Sequence, residues 1–179
     1  MAKELGTVSR LIGKVTMQST KVNNYLKTYG IQAELDIKDG YWHAKWSFGR
    51  GKDRLDYDIR FNPEHPRGKG EDAGAQDVLD KYLSSRRDFL KKGLPEAGSR
   101  VIEYLKDNGI IEHVREERHG GKFTAKRATF ERGEAGRELE IDPQDPKTKN
   151  MGERLINQFT ERTREEMQTK LLRACYAKA

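Results

Sequence analysis

Only one cysteine, Cys175, occurs among the 179 residues, so no intrachain disulfide can form and a disulfide-stapled secreted domain is not expected. No stretch approaches the roughly 18 consecutive apolar residues of a transmembrane helix. The opening MAKELGTVSRLIGKV lacks a continuous apolar segment, and Gly6 and Gly13 interrupt it. Neither a secretory signal nor a transit peptide is therefore expected. Apolar side chains are scarce too: 34% of residues are hydrophobic and 36% are charged. So thin a supply builds small cores, and two modules fit it better than one thick domain. The expectation is a cytoplasmic, soluble protein with no membrane partner.

The usual marks of catalysis and cofactor binding are missing as well. His43, His65, His113 and His119 are not spaced as ligands with one another or with Cys175. GKGEDAG, from Gly68 to Gly74, precedes a helical pattern, but its spacing is not that of a dinucleotide loop and its acids repel phosphate. Gly51-Lys52 lacks the distal glycine and the Ser/Thr of a phosphate loop. Cys175 falls on the apolar stripe of a helix, which reads as packing. No enzyme, no metal and no cofactor are expected.

Proline is sparse, and its placement is informative. Four of the five prolines sit in two motifs, NPEHPRGKG from Asn62 and DPQDPKTKN from Asp142, whose starts lie 80 residues apart. YLKTYGI (Tyr25–Ile31) and YLKDNGI (Tyr104–Ile110) echo each other upstream, 79 residues apart. AKWSFGRG from Ala44 faces AKRATFERG from Ala125, VLDKY from Val78 faces LINQF from Leu155, and RDFL from Arg87 faces REEM from Arg164. Such an ordered series predicts a tandem duplication with a pseudo-two-fold relation. The modules are expected at 1–93 and 94–179, with Pro95 near the junction.

Each copy reads as α-β-β-β-α. Val8, Leu11, Ile12, Val15, Val22, Leu26 and Tyr29 carry a helical period, and Gly30 stands where a helix-ending glycine belongs. Alternating apolar residues follow over Ile31–Ile37, Trp42–Phe48 and Leu55–Phe61, predicting a three-stranded antiparallel meander. Asn62-Pro63 ends it. Val78, Leu79, Tyr82, Leu83, Phe89 and Leu90 form a second helix, closed by Arg86, Arg87, Lys91 and Lys92, whose charges suit its C-terminal dipole. In the second copy, helices are expected near 96–108 and 151–176, with strands near 110–115, 122–130 and 137–142. The fold class is α+β, two-layered, with helices covering one face of each sheet. Trp42, Trp46 and Phe48 share the apolar face and are expected in the core rather than as base-stacking platforms.

This order resembles the double-stranded RNA-binding domain in topology and length. The resemblance implies an RNA-binding, two-layer module. The Lys-rich opening of that family's second helix is replaced here by Glu71-Asp72-Ala73-Gly74, and His43 stands near the family's loop histidine. A rival reading takes residues 95–132 as a winged-helix DNA-binding regulator, with Arg115, Arg118, His119, Lys122, Lys126 and Arg127 on the wing. Glu96 and Glu103 on the would-be recognition helix oppose it.

The charges number 35 basic and 29 acidic, a net of +6, so any attraction to polyanions depends on clustering. If Ile37 lies opposite Trp42, Glu34 faces Lys45 and Asp36 faces His43, and the open sheet face neutralises itself. Cations shared by the copies lie in loops. Arg50 and Arg54 match Arg132 and Arg137; Arg67 and Lys69 match Lys147 and Lys149. Arg67 and Lys69 are expected near Lys38, and their counterparts near Arg118, His119 and Lys122. Two cationic edges on one chain engage a long anion bivalently. The leading expectation is thus a non-catalytic RNA- or DNA-binding protein contacting phosphate through these ten arginines and lysines. The alternative is a structural or adaptor protein, of a virion or another assembly, that binds protein partners through sheet edges and the C-terminal helix, with oligomerisation open to it.

Overall fold

A computed structural model describes residues 16–117, 121–127 and 138–177. It is a mixed α+β protein whose described residues form four α-helices, a four-stranded sheet and a three-stranded sheet. The order is α1 (Met17–Lys27), β1 (Gln32–Leu35), β2 (Trp42–Phe48), β3 (Leu55–Asn62), β4 (Ala73–Gly74) and α2 (Ala75–Gly93). Then come α3 (Ser99–Asp107), β5 (Ile111–Glu116), β6 (Phe123–Arg127), β7 (Glu138–Ile141) and α4 (Thr148–Leu171), which ends in a π-turn over Leu172–Tyr176. Val8, Leu11, Ile12 and Val15, and the far end of the strand expected over 122–130, lie outside the described residues.

Contacts divide the chain into two compact units, one reaching Leu83 and resuming at Arg164, the other spanning Ser84–Thr163. The sequence places the junction ten residues later, at 93 and 94, and keeps 164–179 with the second module. Helix length accounts for the difference. At about 1.5 Å per residue, the 24 residues of α4 run some 36 Å, whereas three strands about 4.8 Å apart make a sheet far narrower than that. One long helix thus supplies residues to two cores.

In the first unit, Thr16 caps α1 by accepting the Ser19 N–H at 3.2 Å. Gly30, at φ 78°, ends that helix in the left-handed turn expected of it. The Gly30 N–H bonds to Lys27 O at 3.0 Å and the Ile31 N–H to Leu26 O at 3.2 Å, the paired bonds of a Schellman cap. Val22, Leu26 and Ile31 are buried with Ala44, Trp46 and Phe61 of the sheet and Val78, Leu79 and Leu83 of α2. Met167, Leu171 and Cys175 complete this core. Trp46 stacks on Tyr57 at 5.3 Å and meets Tyr82 edge-on at 5.9 Å, which places it in the core as expected. The two-residue β4, which the sequence does not suggest, pairs parallel with β3. Only glycine fits at position 74, because a Cβ there would lie 2.5 Å from the Arg67 backbone.

The second unit holds Leu90 of α2 and Leu94 just beyond it, Val101, Ile102 and Leu105 of α3, Ile110 just before β5, Ile111, Ala125 and Ile141 of the sheet, and Leu155 and Ile156 of α4. Its strands pair in the order β5-β6-β7, all antiparallel, as β1-β2-β3 do. Gly109, at φ 68°, ends α3, and Gly109 N–H to Lys106 O at 3.0 Å and Ile110 N–H to Leu105 O at 2.8 Å form the same cap. The Tyr104 hydroxyl donates to Leu90 O at 2.9 Å. In the first unit the Tyr25 hydroxyl donates to Met167 O at 2.7 Å. The proline motifs also match: Asn62 Oδ1 accepts the Glu64 N–H at 3.0 Å, and Asp142 Oδ1 accepts the Gln144 N–H at 2.8 Å.

The first hairpin departs from its expected register. Leu35, not Ile37, lies opposite Trp42, and Glu34 opposite His43. Two side chains lengthen the turn: Asp36 Oδ1 accepts the Lys38 N–H at 2.8 Å and Asp39 Oδ1 the Tyr41 N–H at 2.9 Å. Those bonds hold Asp36–Tyr41 as a loop and leave Ile37 61% exposed. Lys45 still faces Asp58 across β2 and β3 and reaches Glu34 at 3.4 Å, so this face is charge-paired.

Candidate functional site

The expected cations that the structure describes lie at four places. Arg50 and Arg54 flank the β2–β3 turn, a tight connection in which Gly49 and Gly51 take φ 79° and 57° and Gly51–Asp53 forms one 3-10 turn. Arg67 and Lys69 lie in the loop after β3. Lys122 precedes β6, while Lys147 and Lys149 bracket the start of α4. Arg118, Arg132 and Arg137, with His119, lie outside the described residues.

Four of these cations are already paired with carboxylates. Arg54 Nε meets Asp56 at 2.7 Å and Lys149 Nζ meets Glu96 at 2.5 Å. Lys122 Nζ meets Glu140 at 2.6 Å, a contact that raises the lysine's pKa. Arg67 is the fourth. Its guanidinium lies on α2, 3.7 Å from Asp77 and 3.6 Å from Asp80. Asp80 also receives Arg164 at 2.9 Å and Gln168 at 2.7 Å. For Arg50, Lys69 and Lys147, all exposed, no ion pair occurs among the described residues. Lys52, weighed in the sequence only as part of a phosphate loop, is exposed on the same turn as Arg50.

A second constellation lies at the opposite turn of the sheet. His43, on β2, meets Asp58 of β3 through Nδ1 at 2.7 Å and Asp39 of the β1–β2 loop through Nε2 at 3.0 Å. The Asp58 and Asp39 bonds raise the His43 pKa. The backbone N–H of Tyr41, and then His43, lower that of Asp39. One donor atom from each of Asp36, Asp39 and His43 lies within 4.8 Å of the others. Comparing histidines only with one another and with Cys175 missed this group. The spacing D-x-x-D-x-x-x-H, read with carboxylates included, was the available signal.

Elsewhere the chemistry is subdued. Burial pushes the Cys175 thiol pKa up, away from the reactive thiolate. A shallow depression of about 550 Å³ beside the start of α4 mixes Glu140, Asp142 and Asp145 with Lys147 and Arg154. No helix among the described residues is long and apolar enough to cross a membrane. Comparison with family models, with curated proteins and with solved structures finds no match.

Proposed function

We propose that this chain is a tandem duplication of one α-β-β-β-α unit, acting as a non-catalytic nucleic-acid-binding protein that contacts the phosphate backbone through loop cations. The duplication, with the two-fold relation expected of it, draws support from matched hydrogen bonds as well as matched residues. Tyr25 and Tyr104 donate to the main chain at Met167 and Leu90, while Gly30 and Gly109 end their helices with the same paired bonds. Hydrogen-bond geometry of this kind does not follow from composition.

The observation that carries the binding reading is the β2–β3 turn. Arg50 and Lys52 stand exposed on a short, glycine-fixed connection, and neither has an ion pair among the described residues. Cations of this kind meet phosphate without first giving up a carboxylate. Arg54, Arg67, Lys122 and Lys149 would exchange one anion for another. That exchange is small in energy at solvent-exposed sites, where water screens each pair, so they act as secondary contacts beside Lys69 and Lys147.

Fluorescence anisotropy with duplex RNA, duplex DNA and single-stranded RNA, at two salt concentrations, tests the reading. Binding should weaken steeply with salt, with a log–log slope of about −0.9 per neutralised phosphate on duplex DNA. Arg50→Glu with Lys52→Glu should weaken it more than Arg67→Glu with Lys147→Glu. Absence of salt-sensitive binding to all three polymers rejects the proposal and leaves the reading as an assembly or adaptor protein.

A further inference from the structure

We propose that Asp36, Asp39 and His43 form a binding site for one divalent cation of the zinc class, seated where His43 Nε2 and Asp39 Oδ2 meet. The site is separate from the cationic turn and does not depend on the nucleic-acid reading. Its donor set is one imidazole and two carboxylates, drawn from the eight residues DIKDGYWH. Zinc holds nitrogen and oxygen donors at roughly 2.0–2.2 Å, which separates tetrahedral donors by about 3.4 Å. The existing 3.0 Å gap between Nε2 and Oδ2 therefore needs only a small opening.

Three features prepare the donors. Asp58, from a different strand, holds His43 Nδ1 at 2.7 Å. A metal-bound histidine commonly donates its second nitrogen to just such a carboxylate, which fixes the ring and its tautomer. Asp36 and Asp39 each commit one oxygen to a backbone N–H, of Lys38 and Tyr41 respectively, leaving the other oxygen to offer. The nearby cation Arg60 is occupied, with Asp72 at 2.8 Å and Glu71 at 3.7 Å. The exposed position of Asp36 and Asp39 leaves room for water to complete the coordination. The second unit offers no such donor at the matching point of its sheet, since Ala125, the counterpart of Ala44, is preceded by Thr124 rather than histidine.

Calorimetric titration of zinc into the full chain, stripped by chelation, gives the primary test, with imidazole NMR to locate the ion. One ion per chain is expected, with the His43 ring signals moving. Asp36→Asn and Asp39→Asn should each weaken binding by about tenfold or more. Asparagine keeps the oxygen that caps the loop, so these variants retain the turn. His43→Asn should abolish binding, and His65→Gln should leave it unchanged. No uptake by the intact chain, uptake that survives His43→Asn and Asp39→Asn, or movement confined to another histidine overturns the proposal.

Discussion

The two units build similar frames from unlike interiors. The first gathers Trp46, Tyr57, Phe48 and Tyr82 into an aromatic cluster with ring centroids 5.3–6.0 Å apart. The second buries the aliphatic Val101, Ile102, Leu105, Ile110, Ile111 and Ile156, with Tyr104, Phe123 and Phe159 half-buried against them. What they share is of another kind: a glycine at positive φ, a tyrosine hydroxyl on a main-chain carbonyl, an Asn or Asp oxygen bracing a proline turn. Side-chain volume varies between the units, and the groups that satisfy or steer the backbone do not. A core accepts exchange of apolar shapes if the total volume is kept, whereas an orphaned main-chain group finds no substitute.

That contrast breaks most visibly at Trp46, which is 5% exposed. Trp46→Ala should destabilise the first unit by about 3–5 kcal/mol, whereas no aromatic residue stands at the second unit's matching position, Arg127. Urea unfolding followed by hydrogen exchange should show the loss centred on the first unit; an equal loss in both would remove the distinction. Next come the helix-ending glycines. Gly30→Ala and Gly109→Ala should each cost about 1–2 kcal/mol, and by similar amounts, because neither has a neighbour to clash with and only the backbone conformation is strained. A large difference between them would show that the caps are not equivalent.

Smaller effects sharpen the same point. Tyr25→Phe and Tyr104→Phe should each lower stability by about 1 kcal/mol, since each removes one hydroxyl bond to a main-chain carbonyl. Thermal unfolding of the two variants checks the match. Smallest of all is an exchange between the proline motifs. Asn62→Asp and Asp142→Asn keep the oxygen that accepts the next turn's N–H, so the unfolding free energy from denaturant titration should change by less than about 0.5 kcal/mol. Asn62→Ala, which removes the oxygen, should cost more.

The strands of the first unit were legible because alternation over Trp42–Phe48 and Leu55–Phe61 leaves one apolar face, and Gly30 announced its helix end. The hairpin register was not legible, since it hinges on whether Asp36 and Asp39 bond to the backbone or stay in the ladder. Nor was the allegiance of the long helices. Leu90, Met167 and Leu171 advertise buried stripes, but periodicity does not say which core receives them. The candidate cations were identifiable as loop residues, yet their availability was not. Arg67 finds Asp77 and Asp80, and Lys149 finds Glu96, only through the fold.

The late return of the chain to the first unit bears on how it is made. Tyr176 donates its hydroxyl to Pro63 O at 2.7 Å and His65 O at 3.1 Å, and Met167, Leu171 and Cys175 fill the core beneath. A ribosome finishes β1 to β4 long before it supplies those residues. The unit translated first is therefore the last to close, and its half-built aromatic interior stands open to chaperones or to misassociation until the final turns of helix emerge.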